Sequence, residues 1–201
     1  MLLPIERFAG APLISLQLET KIASLAEPII DPRQLKLVAF YVDSPKAADQ
    51  DMVIYTSDIR EVNPRLGMII DNDDVITPLD DLVRLHEIIN FEFNLIGIKV
   101  VDERGRKYGK VTSYSLDPKS FFVEQLTVEP NILRSLGNAS NLIHRNQIVS
   151  VTNKRIIIKA PTVKASQAAK QTGDFINPFR EINKQPENSH YSSSKARRIS
   201  S

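Results

Sequence analysis

The sequence contains no cysteine, and this absence excludes several kinds of chemistry. A chain without cysteine has no disulfide framework, no thiol nucleophile and no cysteine-ligated zinc or iron–sulfur cluster. Long hydrophobic runs are also missing, because no window approaches the roughly 18 consecutive apolar residues that a membrane-spanning helix needs. The first residues, MLLPIERFAGAPL, lack the basic start and the unbroken apolar segment of a secretory signal. We therefore expect a soluble, cytoplasmic protein.

The net charge of the chain is slightly negative before residue 160 and positive after it. Residues 160–201 hold seven Lys and Arg against three Asp and Glu, whereas the preceding residues hold 19 against 21. A nucleic-acid-binding face needs concentrated positive charge, so the body of the chain does not favour one. The last 41 residues also carry too few apolar side chains to offset the entropy of ordering. We predict that residues 161–201 form a disordered basic tail.

The rest of the sequence contains an internal repeat. Asp31-Pro32 and Asp117-Pro118 lie 86 positions apart, and each pair is followed by apolar residues at alternate positions. Proline presets φ and the aspartate side chain accepts from backbone amides, so both pairs predict turns between strands. Superposing the segments at these turns aligns seven apolar pairs without a gap: Ile22 with Tyr108, Leu25 with Val111, Ile30 with Leu116, Leu35 with Phe121, Leu37 with Val123, Phe40 with Leu126 and Val42 with Val128.

This repeat predicts a mostly β fold made of two small antiparallel β-barrels joined by a short helix. The first unit covers residues 1–76 and the second covers residues 93–160, with a linker at 77–92. Within the linker, Thr77-Pro78-Leu79-Asp80 has the residues of a helix start, with Thr as N-cap and Pro at the first helical position. We place the linker helix at about 78–89 and expect it to pack on a barrel.

Both units resemble the PRC-barrel family, which includes barrels of the photosynthetic reaction-centre H subunit and of the ribosome-maturation factor RimM. The resemblance is strongest over 93–160 and rests on five motifs: Asp102-x-x-Gly105, Gly109-Lys110-Val111, Asp117-Pro118, Phe121-x-Val123 and the run from Arg145 to Val151. The first unit departs from the pattern, since Thr20, Lys21 and Ala23 stand where members commonly carry glycines. The family has no shared active site, so the resemblance implies a fold and an interaction role.

Motifs of catalysis and metal binding are incomplete. Residues 105–110, GRKYGK, have three residues between the glycines where a phosphate-binding loop has four, and Val111 follows the lysine. Residues 86–90, HEIIN, lack the second histidine of the zinc-protease motif, and Asp71, Asp73 and Asp74 lack the later ligands of a calcium loop. No G-x-S-x-G elbow is present. We expect no catalytic, cofactor-binding or metal site, and hence no enzyme and no small-molecule substrate.

Candidate partner contacts lie in the tail. Phe175 and Phe179 belong to its one apolar island, which can dock on a partner or on a barrel of the same chain. Lys195, Arg197 and Arg198 form a basic end that can contact RNA, ribosomal protein or an anionic membrane surface. The leading hypothesis is a non-catalytic protein-interaction or scaffold module. The alternative is a ribosome-assembly accessory of the maturation-factor type, which binds ribosomal protein and rRNA.

Overall fold

The first half of the chain folds around a seven-stranded mixed sheet, the N-sheet. A short strand, β1 (Leu3–Pro4), precedes its members, which are β2 (Pro12–Ser15), β3 (Thr20–Asp31), β4 (Lys36–Asp43), β5 (Met52–Tyr55), β6 (Glu61–Asn63), β7 (Gly67–Ile70) and β8 (Thr77–Pro78). They pair in the order β6-β7-β2-β3-β4-β5-β8, and only β2 and β7 run parallel. The structure is a computed structural model and describes residues 1–44, 50–130 and 141–160.

The second half forms an equivalent sheet, the C-sheet. Its strands are β9 (Lys99–Asp102), β10 (Lys107–Leu116), β11 (Val123–Glu129), β12 (Asn141–His144), β13 (Ile148–Val151) and β14 (Arg155–Ile158). They pair in the order β12-β11-β10-β9-β14-β13, with β9 and β14 parallel and β1 added beside β10. The order therefore repeats that of the N-sheet, with β9, β10 and β11 in the places of β2, β3 and β4.

The register of the two sheets agrees at the repeated residues. Leu25 faces Val42 and Ile30 faces Leu37 in the N-sheet, while Val111 faces Val128 and Leu116 faces Val123 in the C-sheet. A register shift leaves Val38 as an extra residue in β4, and a shift at the matching place leaves Glu124 as an extra residue in β11. Such a bulge changes which face the next side chains occupy, which explains the phase change in the apolar pattern of both units.

Burial confirms the predicted core residues. Six of the seven aligned pairs are buried in full, and Ile22 and Tyr108 are partly buried against the same core. That core is continuous and draws on both sheets, because residues 1–160 form one compact unit. Phe8, between β1 and β2, lies at its centre, stacked on Phe40 at 5.6 Å and edge-on to Phe121 at 6.4 Å. The aromatic contacts of Phe8 thus connect the N-sheet to the C-sheet.

The prediction of two closed barrels is not confirmed. Over the described residues, the N-sheet ends at β6 and β8 and the C-sheet ends at β12 and β13, and these end strands do not pair with each other. Closing a barrel requires a hydrogen-bonded ladder between the end strands. β6 has three residues and β8 has two, so they offer few backbone groups for such a ladder. The mostly β architecture with two sheets is confirmed.

The linker helix begins later than predicted. Helix α1 spans Val83–Ile89, preceded by a single 3-10 turn at Leu79–Asp81. Thr77 and Pro78 are not its cap, because they pair with β5 as β8, and the Leu79 amide donates to the Asp51 carbonyl at 2.8 Å. The backbone of Thr77 to Leu79 is therefore hydrogen-bonded within the sheet, so it cannot start the helix. The expectation that the helix packs on a sheet is confirmed, since Leu85 is buried against Ile29, Ala39 and Val53 of the N-sheet.

The first β-turn of the N-sheet keeps its geometry without glycine. Glu19 has φ +51° and Gly105, 86 positions later, has φ +79°, so both turns use the left-handed conformation. The left-handed conformation typically costs a residue with a side chain about 1–2 kcal/mol of stability.

None of the helices in the described part of the chain is long and apolar enough to cross a membrane.

Candidate interaction site at the junction of the two sheets

The two Asp-Pro turns meet at the junction of the sheets. We call residues 31–35 and 117–121 the turn pair. The Leu37 amide donates to the Phe121 carbonyl at 2.9 Å, and the Val123 amide donates to the Leu35 carbonyl at 2.9 Å. Between these bonds, Lys36 and Phe122 face each other as an antiparallel bridge. Leu37 and Val123 are an aligned pair of the repeat, and so are Leu35 and Phe121. The two hydrogen bonds are therefore equivalent, and the junction has approximate two-fold symmetry.

Each turn is held by its aspartate. Asp31 is buried and accepts from the Arg33 amide at 2.9 Å and from the Arg33 guanidinium, also at 2.9 Å. Asp117 accepts from the Ser120 hydroxyl at 2.6 Å and from the Ser120 amide at 3.2 Å. The hydrogen bond from Arg33 lowers the pKa of Asp31, and the hydrogen bond from Ser120 lowers the pKa of Asp117. Both carboxylates are therefore ionised at neutral pH and act as fixed acceptors.

The last residue of each turn adopts a strained backbone conformation. Leu35 has φ +46° and Phe121 has φ +58°, although neither is glycine. Both side chains are buried, with 5% and 4% of their surface exposed. Burying a large apolar side chain yields about 1.5–3 kcal/mol, which offsets the cost of the left-handed conformation. The turn pair therefore depends on the shared core for its shape.

Arg145, in the 3-10 turn at Arg145–Gln147, joins the first turn to β11. Its guanidinium donates to the carbonyl of Leu35 at 3.2 Å and to the carbonyl of Val123 at 3.1 Å. A third bond, at 2.6 Å, reaches the carbonyl of Gln34. The guanidinium also lies over the Phe122 ring, 4.7 Å from its centroid. Arg145 therefore connects backbone of the N-sheet to backbone of the C-sheet with one side chain.

Replacing Arg145 by alanine should weaken this connection. We expect a loss of about 2–3 kcal/mol in the free energy of unfolding, since hydrogen bonds from a charged donor contribute about 1.5–3 kcal/mol and the carbonyls would lose their partner. Urea unfolding followed by circular dichroism measures the change. Arg145→Lys should recover less than half of it, because an ammonium cannot reproduce the planar fork.

The matched control is Arg106→Ala, because Arg106 is exposed and its guanidinium lies over the Tyr108 ring, 5.8 Å from the ring centroid. That change should cost under about 1 kcal/mol. Equal losses for the two alanine variants would show that Arg145 does not join the sheets.

A cleft of about 540 Å³ opens beside the turn pair, and we call it the junction cleft. Helix α1 forms one wall, with Arg84, Leu85 and Ile88, and a second wall is formed by Lys119 of the second turn and by Phe122. The floor is part of the N-sheet around Lys36 and Val38. Its volume lies in the range of about 300–1,000 Å³ typical of ligand pockets. The cleft exists only because three elements distant in sequence meet here.

A smaller cleft of about 290 Å³ lies on the other side of the junction. It is lined by the first turn, including Arg33 and Leu35, by Arg145 and by β13. The approximate two-fold axis relates this cleft to the junction cleft, since each is formed by one Asp-Pro turn against the other half of the chain. Helix α1 packs only beside the junction cleft, which gives that cleft a wall that the smaller one lacks.

The five residues predicted as partner contacts, Phe175, Phe179, Lys195, Arg197 and Arg198, lie outside the described residues. The junction residues were not predicted as a site. Arg145 was recognised only as part of a family motif, although its place next to the aligned strands was visible in the sequence. Lys36 and Phe122 are 86 positions apart, so the repeat itself indicated that they are equivalent. No pattern indicated that they would touch.

The structure gives the surroundings of residues from the incomplete chemical motifs. Asp71 forms an ion pair with Arg60 at 2.6 Å, and His86 lies half-buried on α1. Among the described residues, no group of three His, Cys, Asp or Glu side chains comes together in a way that could hold a metal ion. The hydroxyl of Thr56, which lines the junction cleft, donates to the carbonyls of Leu37 and Val38 at 3.0 and 3.2 Å. That hydroxyl has a structural role at the bulge of β4.

Comparison with known families agrees with the motifs of the second unit. The model of the PRC-barrel domain matches residues 80–164. This range begins in the 3-10 turn before α1 and includes every strand of the C-sheet except β1, so a PRC-barrel domain is present at residues 80–164. The match starts earlier than the predicted range of 93–160, because it takes in the helix. No curated protein matches the chain in sequence.

Proposed function

We propose that this protein is a non-catalytic interaction module built from two PRC-barrel-like units in tandem. The observation that carries the proposal is the repeat centred on the two Asp-Pro turns. The family match covers the second unit, and the first unit has the same strand order, the same bulge in its fourth strand and the same turn geometry. Two equivalent units that share one core form a single platform with a cleft on each side of their junction.

The polar groups at the junction favour binding over catalysis. Thr56 and Ser120 donate their hydroxyl hydrogens to a backbone carbonyl and to Asp117, respectively. The guanidinium of Arg145 is occupied by three backbone carbonyls. A nucleophile needs an adjacent base that is free to accept its proton. Because the hydroxyls and the guanidinium are already hydrogen-bonded within the protein, they stabilise the shape of the junction. A junction with a fixed shape suits binding of a partner.

The tail contributes to partner binding in this proposal. Phe175 and Phe179 supply an apolar contact, and Lys195, Arg197 and Arg198 supply a basic one. Since surface charges act over about 8–10 Å at physiological salt, the basic end would raise the association rate and give a salt-dependent share of the affinity. Protein is the proposed partner class, and cytoplasm is the proposed location.

Affinity purification of the tagged full chain from extract of its own cells tests the proposal. We expect one protein to be recovered in a fixed ratio to the bait, with and without nuclease treatment. A variant with Phe175→Ala and Phe179→Ala and a second variant with Lys195→Gln, Arg197→Gln and Arg198→Gln separate the apolar from the basic contribution. The basic variant should lose partner at low salt and match the wild type at high salt.

The alternative function predicts a different result. Recovery of small ribosomal subunits or rRNA that nuclease abolishes would replace the proposal by ribosome assembly. Recovery that depends on anionic lipid vesicles would replace it by peripheral membrane binding. Absence of any partner in a fixed ratio to the bait would contradict the interaction role itself.

A further inference from the structure

The junction cleft carries positive charge that the described part of the chain does not neutralise. Lys36 lies half-buried in the floor, while Arg84 and Lys119 are exposed and belong to different walls. None of the three forms an ion pair with a described carboxylate, and no acidic residue lines the cleft. The Lys36 ammonium lies 5.4 Å from the centroid of the Phe122 ring, which leaves its hydrogen-bond donors free.

The smaller cleft shows that this excess charge is particular to one side of the junction. Its two arginines are already used, because Arg33 forms an ion pair with Asp31 at 2.9 Å and Arg145 donates to backbone carbonyls. The two clefts are related by the repeat, yet only the junction cleft has cations available to an incoming group. Charge complementarity therefore assigns an anionic occupant to the junction cleft.

The surroundings of these cations indicate what kind of anion fits. Apolar side chains lie between them, namely Val38, Leu85, Ile88 and Phe122. The hydroxyls of Thr56 and Ser120 donate elsewhere, so they do not form the fixed set of buried donors that a small inorganic anion requires. Long cationic side chains around an apolar floor suit carboxylates that flank an apolar side chain.

We propose that the junction cleft binds an acidic segment of a protein partner, with an apolar or aromatic side chain on the floor and carboxylates at Lys36, Arg84 and Lys119. This inference rests on the proposed interaction function and names the partner chemistry. Because the cations stand on three different elements, the segment would contact α1, the N-sheet and the second Asp-Pro turn together. Its binding would therefore depend on the fold of both halves.

The test uses two fluorescein-labelled eight-residue peptides and the full-length protein. The acidic peptide alternates Glu with Leu and Phe, and the neutral peptide has Gln in place of every Glu. Fluorescence anisotropy at low and physiological salt gives Kd for the wild type, for Arg84→Gln with Lys119→Gln, and for these two changes with Lys36→Gln. The control carries Lys107→Gln, Lys110→Gln and Arg155→Gln, which remove three exposed charges from the C-sheet.

We expect the acidic peptide to bind the wild type and the control alike, and the triple cleft variant to bind about tenfold more weakly. The double variant, which changes only exposed residues, guards against a folding defect caused by Lys36→Gln and should lose a smaller share. Physiological salt should weaken binding to the wild type more than binding to the cleft variants.

Equal loss in the control and cleft variants would mean nonspecific attraction and would overturn the inference. Equal binding of the neutral peptide would overturn it as well. Isothermal titration calorimetry with inorganic phosphate would overturn it if phosphate bound the wild type more tightly than the triple cleft variant and the acidic peptide did not bind. The affinity purification described above is independent of these outcomes, so a partner recovered equally well by the cleft variants would leave the interaction role intact and reject this site.

Discussion

Replacing Phe8 by alanine is expected to lower the free energy of unfolding by about 3–5 kcal/mol. Phe8 is 1% exposed, stacks on Phe40 and meets Phe121 edge-on, so its ring fills the space between the two sheets. Removing the ring loses the free energy of burying it and leaves a cavity between the two sheets. The backbones of both sheets would have to move to fill that cavity. Guanidinium or urea unfolding, with the slope fitted as well as the midpoint, measures the loss.

Phe91→Ala is the matched control for this prediction. Phe91 is 38% exposed and has an Arg33 guanidinium 5.5 Å from its ring centroid, so its loss should cost about 1 kcal/mol or less. Similar losses for Phe8 and Phe91 would contradict a shared core. Two separate unfolding transitions in the Phe8→Ala variant would show that the halves are stable alone, which a continuous core does not predict.

Replacing Gly109 by alanine is expected to destabilise the protein by about 3–5 kcal/mol. Gly109 has φ +140°, and a Cβ atom there would overlap the Glu129 carbonyl and lie 2.9 Å from the Pro130 Cα. The obstacle is the backbone of Glu129 and Pro130, and Lys110, next to Gly109 in β10, pairs with Glu129 of β11. Neither strand can move without disturbing the ladder, so the clash cannot be relieved by a side-chain rotation. Thermal or urea unfolding measures the effect.

Gly105→Ala separates the effect of contact from that of conformation. Gly105 also has a positive φ, +79°, but a Cβ atom there would meet nothing within 4 Å. Its replacement should therefore cost only the left-handed penalty of about 1–2 kcal/mol. If both alanine variants lost the same stability, close approach of the strands would not be the reason for glycine at position 109.

The sequence alone determined the local design of this protein. The two Asp-Pro turns, the seven aligned apolar pairs and the resemblance over 93–160 all follow from interactions within about thirty residues, where side-chain alternation and turn chemistry decide the outcome. The buried state of Leu37, Phe121 and Val123 was predictable for this reason, because a strand with alternating apolar residues must turn that face to the core.

Competition between elements limited the local predictions. Thr77 and Pro78 have the residues of a helix start, yet pairing with β5 uses their backbone and delays α1 to Val83. The repeat and the family resemblance predicted closed barrels, whereas the end strands of the N-sheet, β6 and β8, have three and two residues and do not pair with each other. In both cases the outcome depends on which backbone partner is nearest in space, and alternation of apolar residues does not encode this.

Only the tertiary structure decided how the halves meet. Repeat symmetry makes Lys36 and Phe122 equivalent, but their contact requires the docking of the two sheets. The same holds for the bonds of Arg145 to the first turn and to β11, and for the meeting of Lys36, Arg84 and Lys119 in one cleft, which needs helix α1 as well. The choice of the N-sheet by α1 follows from the apolar outer face of β3, β4 and β5, where Ile29, Ala39 and Val53 receive Leu85. At two of the matching positions the C-sheet has Ser115 and Gln125, which cannot bury a helix at comparable gain, because polar side chains lose water without gaining apolar contact.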